Sequence, residues 1–278
     1  MKEEKEPGVP MFSWQSLEEA ERWAQQARFR QNLFGEATRL MLEAAALRPG
    51  DHILDIAAGT GDQSLLAAQH VGPAGTVLAT DISAEMLKEA AHLAEQKGFT
   101  TITTRVMNAE HLDLADQAFD AVICRLGLML LSHQQEALRE ILRVLKPGRK
   151  LAALVWSTPD RHPLLSIPLA IITKYVAMPA LSPNPFSLAG SGVFEQALSS
   201  AGFHEVSIQA VPIQFHFASM DAFFQQMPNN PVTTNAMKQL NQRDQQRLQE
   251  EIRQALSRFE GPEGLVFPAE LLLGAGKR

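Results

Sequence analysis

The chain reads as an α/β protein built on a doubly wound, mostly parallel sheet of seven strands. Three observations predict it. Short apolar runs recur between residues 52 and 156, and most are followed by a turn and then by apolar residues at helical spacing. The first run, Ile53-Leu54-Asp55-Ile56, stops at Ala57-Ala58-Gly59-Thr60-Gly61, a glycine turn that opens a helix. An acidic residue, Asp81, closes the second run about twenty residues after those glycines.

Each element has its own reason. Residues 1–15 form a loose tail with Phe12 and Trp14 as anchors, and Ser16 caps a helix whose first turn holds Glu18 and Glu19. A second helix lies around Leu33 to Leu47, with Leu40, Ala44 and Leu47 at helical spacing, and ends at Arg48-Pro49-Gly50. Trp14, Trp23 and Phe29 either pack these helices on the main domain or form a lid. Strand one then spans 52–57 and its helix 60–70, strand two 76–80, and a helix starts at Ser83. Strand three is 101–107, strand four 119–124, and a helix runs from Ser132 to Leu145. Lys146-Pro147-Gly148 ends that helix, and strand five is Lys150 to Trp156. Beyond Trp156 the rhythm breaks. Residues 158–190 are apolar but rich in proline, from Pro159 to Pro185, and read as an irregular insertion with a short helix. A helix at 191–201, a strand at 204–217, a glutamine-rich helical cap over 219–260 and a last strand within 264–275 follow. This gives N-terminal tail and lid helices over 1–47, a ligand-binding core over 48–157, and an insertion, cap and closing strands of the same sheet over 158–278.

Composition narrows the function. With 278 residues, 45 % of them hydrophobic and 20 % charged, the chain can bury a sizeable core. A net charge of -6 argues against a nucleic-acid partner, which would want a basic face. One cysteine, Cys124, excludes an intrachain disulfide and a cysteine-rich metal site. The charged, prolyl start carries no apolar leader region, and no apolar run approaches the ~20 residues of a membrane span. The expected setting is cytoplasmic.

In an open parallel sheet the ligand lies beyond the carboxyl ends of the strands, so the candidates can be read off in order. They are Asp55, Ala57, Gly59, Thr60 and Gly61 after strand one, Asp81 and Ile82 after strand two, Asn108, Ala109 and Glu110 after strand three, and Arg125 after strand four. Asp81 is placed to accept both hydroxyls of a ribose. Asn108 can bond an adenine edge, with Ile82 and Met86 on either side of the ring. Asp55 can balance an ammonium or sulfonium group, or serve as a buried hydrogen-bond hub for the loop; the two roles are compatible. Asp81 can equally be a helix-terminal charge, residues 108–110 a plain capping turn, and Ile82 and Met86 ordinary helix core. A dehydrogenase would want G-x-G-x-x-G, but Gly59-Thr60-Gly61-Asp62-Gln63-Ser64 lacks the third glycine and puts Asp62 near a pyrophosphate.

The pattern Asp55-x-Ala57-x-Gly59-x-Gly61 resembles the first motif of class I S-adenosylmethionine-dependent methyltransferases, with Ala57 in a glycine position. The series continues with Asp81-Ile82-Ser83-Ala84-Glu85-Met86-Leu87, Asn108-Ala109-Glu110, Ala118-Phe119-Asp120 and Arg143-Val144-Leu145-Lys146-Pro147-Gly148. Taken together over 45–157, it resembles the ubiquinone/menaquinone-biosynthesis C-methyltransferase branch and its small-molecule relatives. The resemblance implies a Rossmann-like fold, S-adenosyl-L-methionine as cofactor, and contacts to it at Thr60, Asp81, Asn108, Ala109 and Arg125. Arg125 departs from the family, where a small or uncharged polar residue is usual. Arg149 replaces a common second glycine, a change expected to affect only a turn.

The implied activity is methyl transfer to a small acceptor, with no nucleic acid, no membrane span and no metal. The acceptor site is expected along 128–131, 156–178 and 216–235 and to favour an apolar or aromatic molecule. Two histidines past strand ends, His162 and His216, are candidate bases, each with a structural reading beside it; His133 reads as a surface or capping residue. A non-methylating protein of this fold, a cyclase-type enzyme or a binding module, is the alternative.

Overall fold

The structure, a computed structural model, describes residues 17–177, 184–226 and 236–278. Phe12, Trp14, Ser16, Pro179, Pro183 and the 227–235 part of the expected cap and acceptor site lie outside them.

The chain runs α1 (Leu17–Gln25), α2 (Ala27–Ala44), β1 (His52–Ile56), α3 (Asp62–Val71), β2 (Thr76–Asp81), α4 (Ala84–Gln96), β3 (Ile102–Val106), β4 (Phe119–Arg125), α5 (Gln134–Val144), β5 (Leu145–Trp156), α6 (Pro163–Ile172), α7 (Val193–Ala201), β6 (His204–Phe217), α8 (Met220–Gln226), α9 (Gln242–Leu256), β7 (Glu260–Gly261) and β8 (Gly264–Lys277). The sheet order is β3-β2-β1-β4-β5-β8-β6, with two-residue β7 paired to β8 as an eighth strand. β1 to β5 pair in parallel and β8 runs antiparallel to β5. The order reverses between β1 and β4, where a doubly wound sheet opens a crevice.

Two compact units emerge, and β6 and β8 each pass from one to the other. The larger comprises residues 17–157, 185–211 and 271–278 of those described. Its central strands are buried on both faces: Ile53, Leu54 and Ile56 of β1 and Ala121 to Cys124 of β4 are all 0 % exposed, the continuous apolar reading of a central parallel strand. β3, at the sheet edge, is the polar Ile-Thr-Thr-Arg-Val and largely exposed. α4 starts where Ser83 Oγ accepts a hydrogen bond from Met86 N at 3.2 Å. In β8, a Cβ at Gly274 would meet Ile208 Cδ1 at 3.1 Å and run into the Phe194 ring, so glycine leaves the space that ring occupies.

Two readings need correction here. The chain passes from α5 into β5 at Leu145, so Lys146-Pro147-Gly148 belongs to the strand, whose pairing with β4 is shifted between Phe119 and Ala121. Arg149 is more than a turn residue. Its Nη2 donates to Asp51 Oδ1 at 2.9 Å and Asp120 Oδ1 at 2.6 Å, while Lys146 Nζ donates to Asp120 Oδ2 at 2.9 Å. These partners hold the Asp120 carboxyl below the usual carboxylate range despite its partial burial.

The smaller unit comprises 158–177, Asn184, 212–226 and 236–270. α9 buries Leu248, Ile252 and Leu256, one stripe at four-residue spacing. Phe217, Phe223, Phe259 and Phe267 form an aromatic cluster with ring centroids 5.0 to 6.0 Å apart. Tyr175 Oη donates to Glu251 at 2.5 Å. No helix among the described residues is long and apolar enough to cross a membrane.

Candidate functional site

The site is built around the turn after β1. Ala57, at φ +53, leaves the strand in the left-handed region where glycine is favoured. Ala58 N still donates to Thr80 O at 2.9 Å, so the turn begins while the chain is pinned to β2. Gly59 at φ +56 and Gly61 at φ +81 complete the reversal. At Gly61 a Cβ would approach Ala90 Cβ to 2.9 Å, so the side-chain-free backbone also lets α4 pack close.

Asp81 ties the neighbouring turn to this one. Its Oδ2 accepts from Gly59 N and its Oδ1 from Ser83 N, both at 2.9 Å. Burial pushes its carboxyl above the ordinary value against those backbone donors. Asp55 lies beneath, 0 % exposed, with Oδ1 accepting from Gln63 Nε2 at 2.7 Å and Oδ2 from Ser64 Oγ at 2.5 Å. Both oxygens therefore brace the start of α3. Burial raises the Asp55 carboxyl to about 7.

That shift has a testable sign. A folded-state value above the ordinary 3.8 means the folded protein holds this proton more tightly than the unfolded chain. Asp55 therefore contributes stability below pH 3.8 that is lost as pH rises through about 7. Asp55→Asn keeps the shape and removes the charge. The expected result in urea denaturation is a variant that gains on the wild type as pH rises from 3.8 to about 7 and gains nothing more above that, whereas a pH-independent difference would contradict the assignment.

Arg125 is the last residue of β4, and its side chain is buried with those of Arg30 and Asp62. Arg30 Nε donates to Asp62 Oδ2 at 2.7 Å and its Nη2 to Thr60 Oγ1 at 2.8 Å; its Nη1 bonds Trp23 O, and its guanidinium stacks 4.5 Å from the Trp23 ring. Arg125 Nη2 reaches the same Asp62 Oδ2 at 3.3 Å and Nη1 donates to Thr38 Oγ1 at 3.0 Å, with Phe34 5.5 Å from its guanidinium. Desolvation lowers the Arg125 pKa despite the pull of Asp62.

The structure thus brings Asp55, Ala57, Gly59, Thr60, Gly61, Asp81 and Arg125 to the carboxyl ends of β1, β2 and β4. Ile82 and Met86 do not present a matched pair of faces, since Ile82 is 50 % exposed and Met86 2 % exposed. Asn108 makes a local turn, its Oδ1 accepting from Glu110 N at 2.9 Å, and Ala109 is buried. Glu110 accepts from His133 N at 2.9 Å and lies 3.0 Å from His133 Nδ1, which lowers its carboxyl and raises the imidazole. With Glu136 these two form a grouping of metal-capable side chains, but two of the three are exposed and Glu110 is spent on His133. In the smaller unit, His162 is 1 % exposed, stacks 5.5 Å from Phe215, and is pushed by burial down to about 4. His216 is exposed on β6.

Sequence reasoning missed Arg30, Thr38 and the partnership of Asp62 with two arginines. A signal was present. Arg30, Phe34, Ala37 and Met41 share one buried helical stripe, an arginine where apolar residues belong.

Five parallel strands, an antiparallel β8, a glycine turn at the switch point and an acidic residue at the end of β2 define the class I methyltransferase fold. Residues 36–220 match the model of the ubiE/COQ5 methyltransferase family, and the chain belongs to that family. The ubiquinone/menaquinone biosynthesis C-methyltransferase UbiE of Ectopseudomonas mendocina is 42 % identical over 129 residues, 46 % of this chain and 50 % of that relative. The chain spans about half the length of the curated relatives it matches. Among solved structures, the YcgJ protein of Bacillus subtilis superposes with a TM-score of 0.60 at 18 % identity, covering 88 % of this chain and 98 % of its own. The [4+2]-cyclase SpnF does so with a TM-score of 0.55 at 18 % identity, covering 98 % of this chain and 99 % of its own.

Proposed function

We propose that the protein is an S-adenosylmethionine-dependent methyltransferase acting on a small apolar or aromatic acceptor. The observation that carries this is the pairing of the turn Ala57–Gly61 with the Asp81 carboxylate, which sits half-exposed at the end of β2 and already holds Gly59 N. The residues fit the cofactor. Asp81 offers oxygens suited to ribose hydroxyls, Thr60 and the glycine backbone line the turn, and Asp55 adds buried negative charge at pH values above about 7. Asn108 and the exposed Ile82 belong to the adenine side of this reading, with Ala109 and Glu110 as neighbouring candidates; Met86, 2 % exposed, stays with the helix core.

When bound, S-adenosylmethionine supplies a methyl group on a sulfonium, open to in-line displacement; the protein aligns the acceptor and excludes water. Within the larger unit, the half-buried Leu130, Leu131 and Trp156 leave apolar surface near the ends of β4 and β5 that suits an apolar acceptor. Leu128 and Met129 are buried there, Met129 Sδ accepts from Trp156 N at 3.4 Å, and Trp156 packs 5.9 Å from Phe34. His162, neutral above about pH 4, is a weak base, and His216 remains the second candidate. The setting proposed is cytoplasmic, with which the single free cysteine, Cys124, is compatible.

The test is incubation with methyl-labelled cofactor and a metabolite extract. Transfer of label to a small molecule is the expected result. Tight binding of cofactor with no labelled product from a panel of apolar and aromatic acceptors would favour the non-methylating reading; the full-length likeness to SpnF gives that reading a fold precedent.

A further inference from the structure

Arg30, Arg125 and Asp62 put two guanidiniums against one carboxylate in a nearly dry setting, their side chains 4 %, 7 % and 9 % exposed. Asp55 offsets little of this, because its own carboxyl is raised to about 7 and both oxygens are taken. Positive charge is therefore in excess at the end of β4, and an uncompensated buried cation is costly. The two arginines differ. Arg30 spends Nε, Nη1 and Nη2 on Asp62, Trp23 and Thr60. Arg125 makes one hydrogen bond from each of Nη1 and Nη2, so most of its five N–H donors are not engaged by Thr38 and Asp62. Phe34 lies against its guanidinium, which fixes the plane of the fork. Asp62 anchors the group beside the glycine turn, because it opens α3 directly after Gly61.

We infer that Arg125, held in place by Asp62, Thr38 and Phe34, is the receptor for the α-carboxylate at the amino-acid end of the adenosyl cofactor. This rests on the cofactor reading above. The carboxylate supplies the missing negative charge, and a bidentate guanidinium–carboxylate contact is the geometry an arginine offers and a small polar residue at this position cannot. Arg125 thereby selects amino-acid-bearing cofactors over those that lack the carboxylate, and Arg30 positions the anchor it shares.

Calorimetric titration of the full chain with three ligands tests this: S-adenosylhomocysteine, its decarboxylated analogue, and 5′-methylthioadenosine, which lacks the amino-acid end. The wild type is expected to prefer S-adenosylhomocysteine over the decarboxylated analogue by about 10- to 100-fold. Arg125→Gln is expected to abolish that preference while leaving methylthioadenosine affinity unchanged within about twofold. Arg125→Lys, which keeps the charge beside Asp62 but lacks the fork, is expected to retain part of the preference and serves if the glutamine variant does not fold. Equal losses toward all three ligands, or a preference unchanged in both variants, would overturn the proposal while leaving cofactor binding intact. Wild-type protein that binds none of the three would overturn the cofactor reading itself, and this inference with it.

Discussion

Asp62→Ala is expected to cost about 3–5 kcal/mol of stability, because it strands two buried guanidiniums at once. Arg30 and Arg125 both donate to Asp62 Oδ2, at 2.7 and 3.3 Å, and all three side chains are at most 9 % exposed. The ion pairs need not be a net gain over an apolar core. The cost arises because the cations stay buried after their partner has gone. Loss of a charge from the first turn of α3 adds only about 0.3–1 kcal/mol. Urea denaturation reads the sum, and Asp62→Asn, which preserves an acceptor oxygen, should lie between the variant and the wild type. A loss within about 0.5 kcal/mol for the alanine variant, the range of an ordinary surface change, would contradict the network.

Gly127→Ala is the second large effect. Gly127 has an ordinary backbone at φ -93, so the constraint on its side chain is space alone. A Cβ there would overlap Ala57 Cβ and come within 2.9 Å of Cys124 Sγ. Overpacking of this kind costs about 1–3 kcal/mol, and here it presses on the residue that starts the glycine turn. The expected result is a destabilised protein with weakened binding of S-adenosylhomocysteine. Ala57→Gly removes the principal clash and relaxes a residue at φ +53, so the double variant should recover much of the loss, with the Cys124 contact remaining. Simple additivity of the two changes would count against this contact.

The parts of the molecule legible in the sequence are those set by local rules. Strand positions followed from apolar runs, α4 from the Ser83 cap, and the turn from its glycines; β6 spans 204–217 as read. The parts that were not legible depend on partners far apart in the chain. Arg125 stood out as a departure, but its meaning required Asp62, 63 residues away, and Thr38, 87 away. Arg149 looked like a turn residue because its partners Asp51 and Asp120 lie 98 and 29 positions off. α2 begins earlier than its Leu33 to Leu47 pattern indicates, at Ala27, because a buried arginine interrupts the apolar stripe. In β5 the Lys-Pro-Gly signal, which marks a helix end, was overridden by pairing with β4.

The central claim is that the turn at Ala57–Gly61, with Asp81 opposite, takes a cationic adenosyl ligand and not a pyrophosphate. Titrating the protein with S-adenosylhomocysteine and with reduced nicotinamide cofactor compares the two directly. The account predicts saturable binding of S-adenosylhomocysteine and none of the nicotinamide cofactor. Saturable binding of the nicotinamide cofactor with no response to S-adenosylhomocysteine would contradict it.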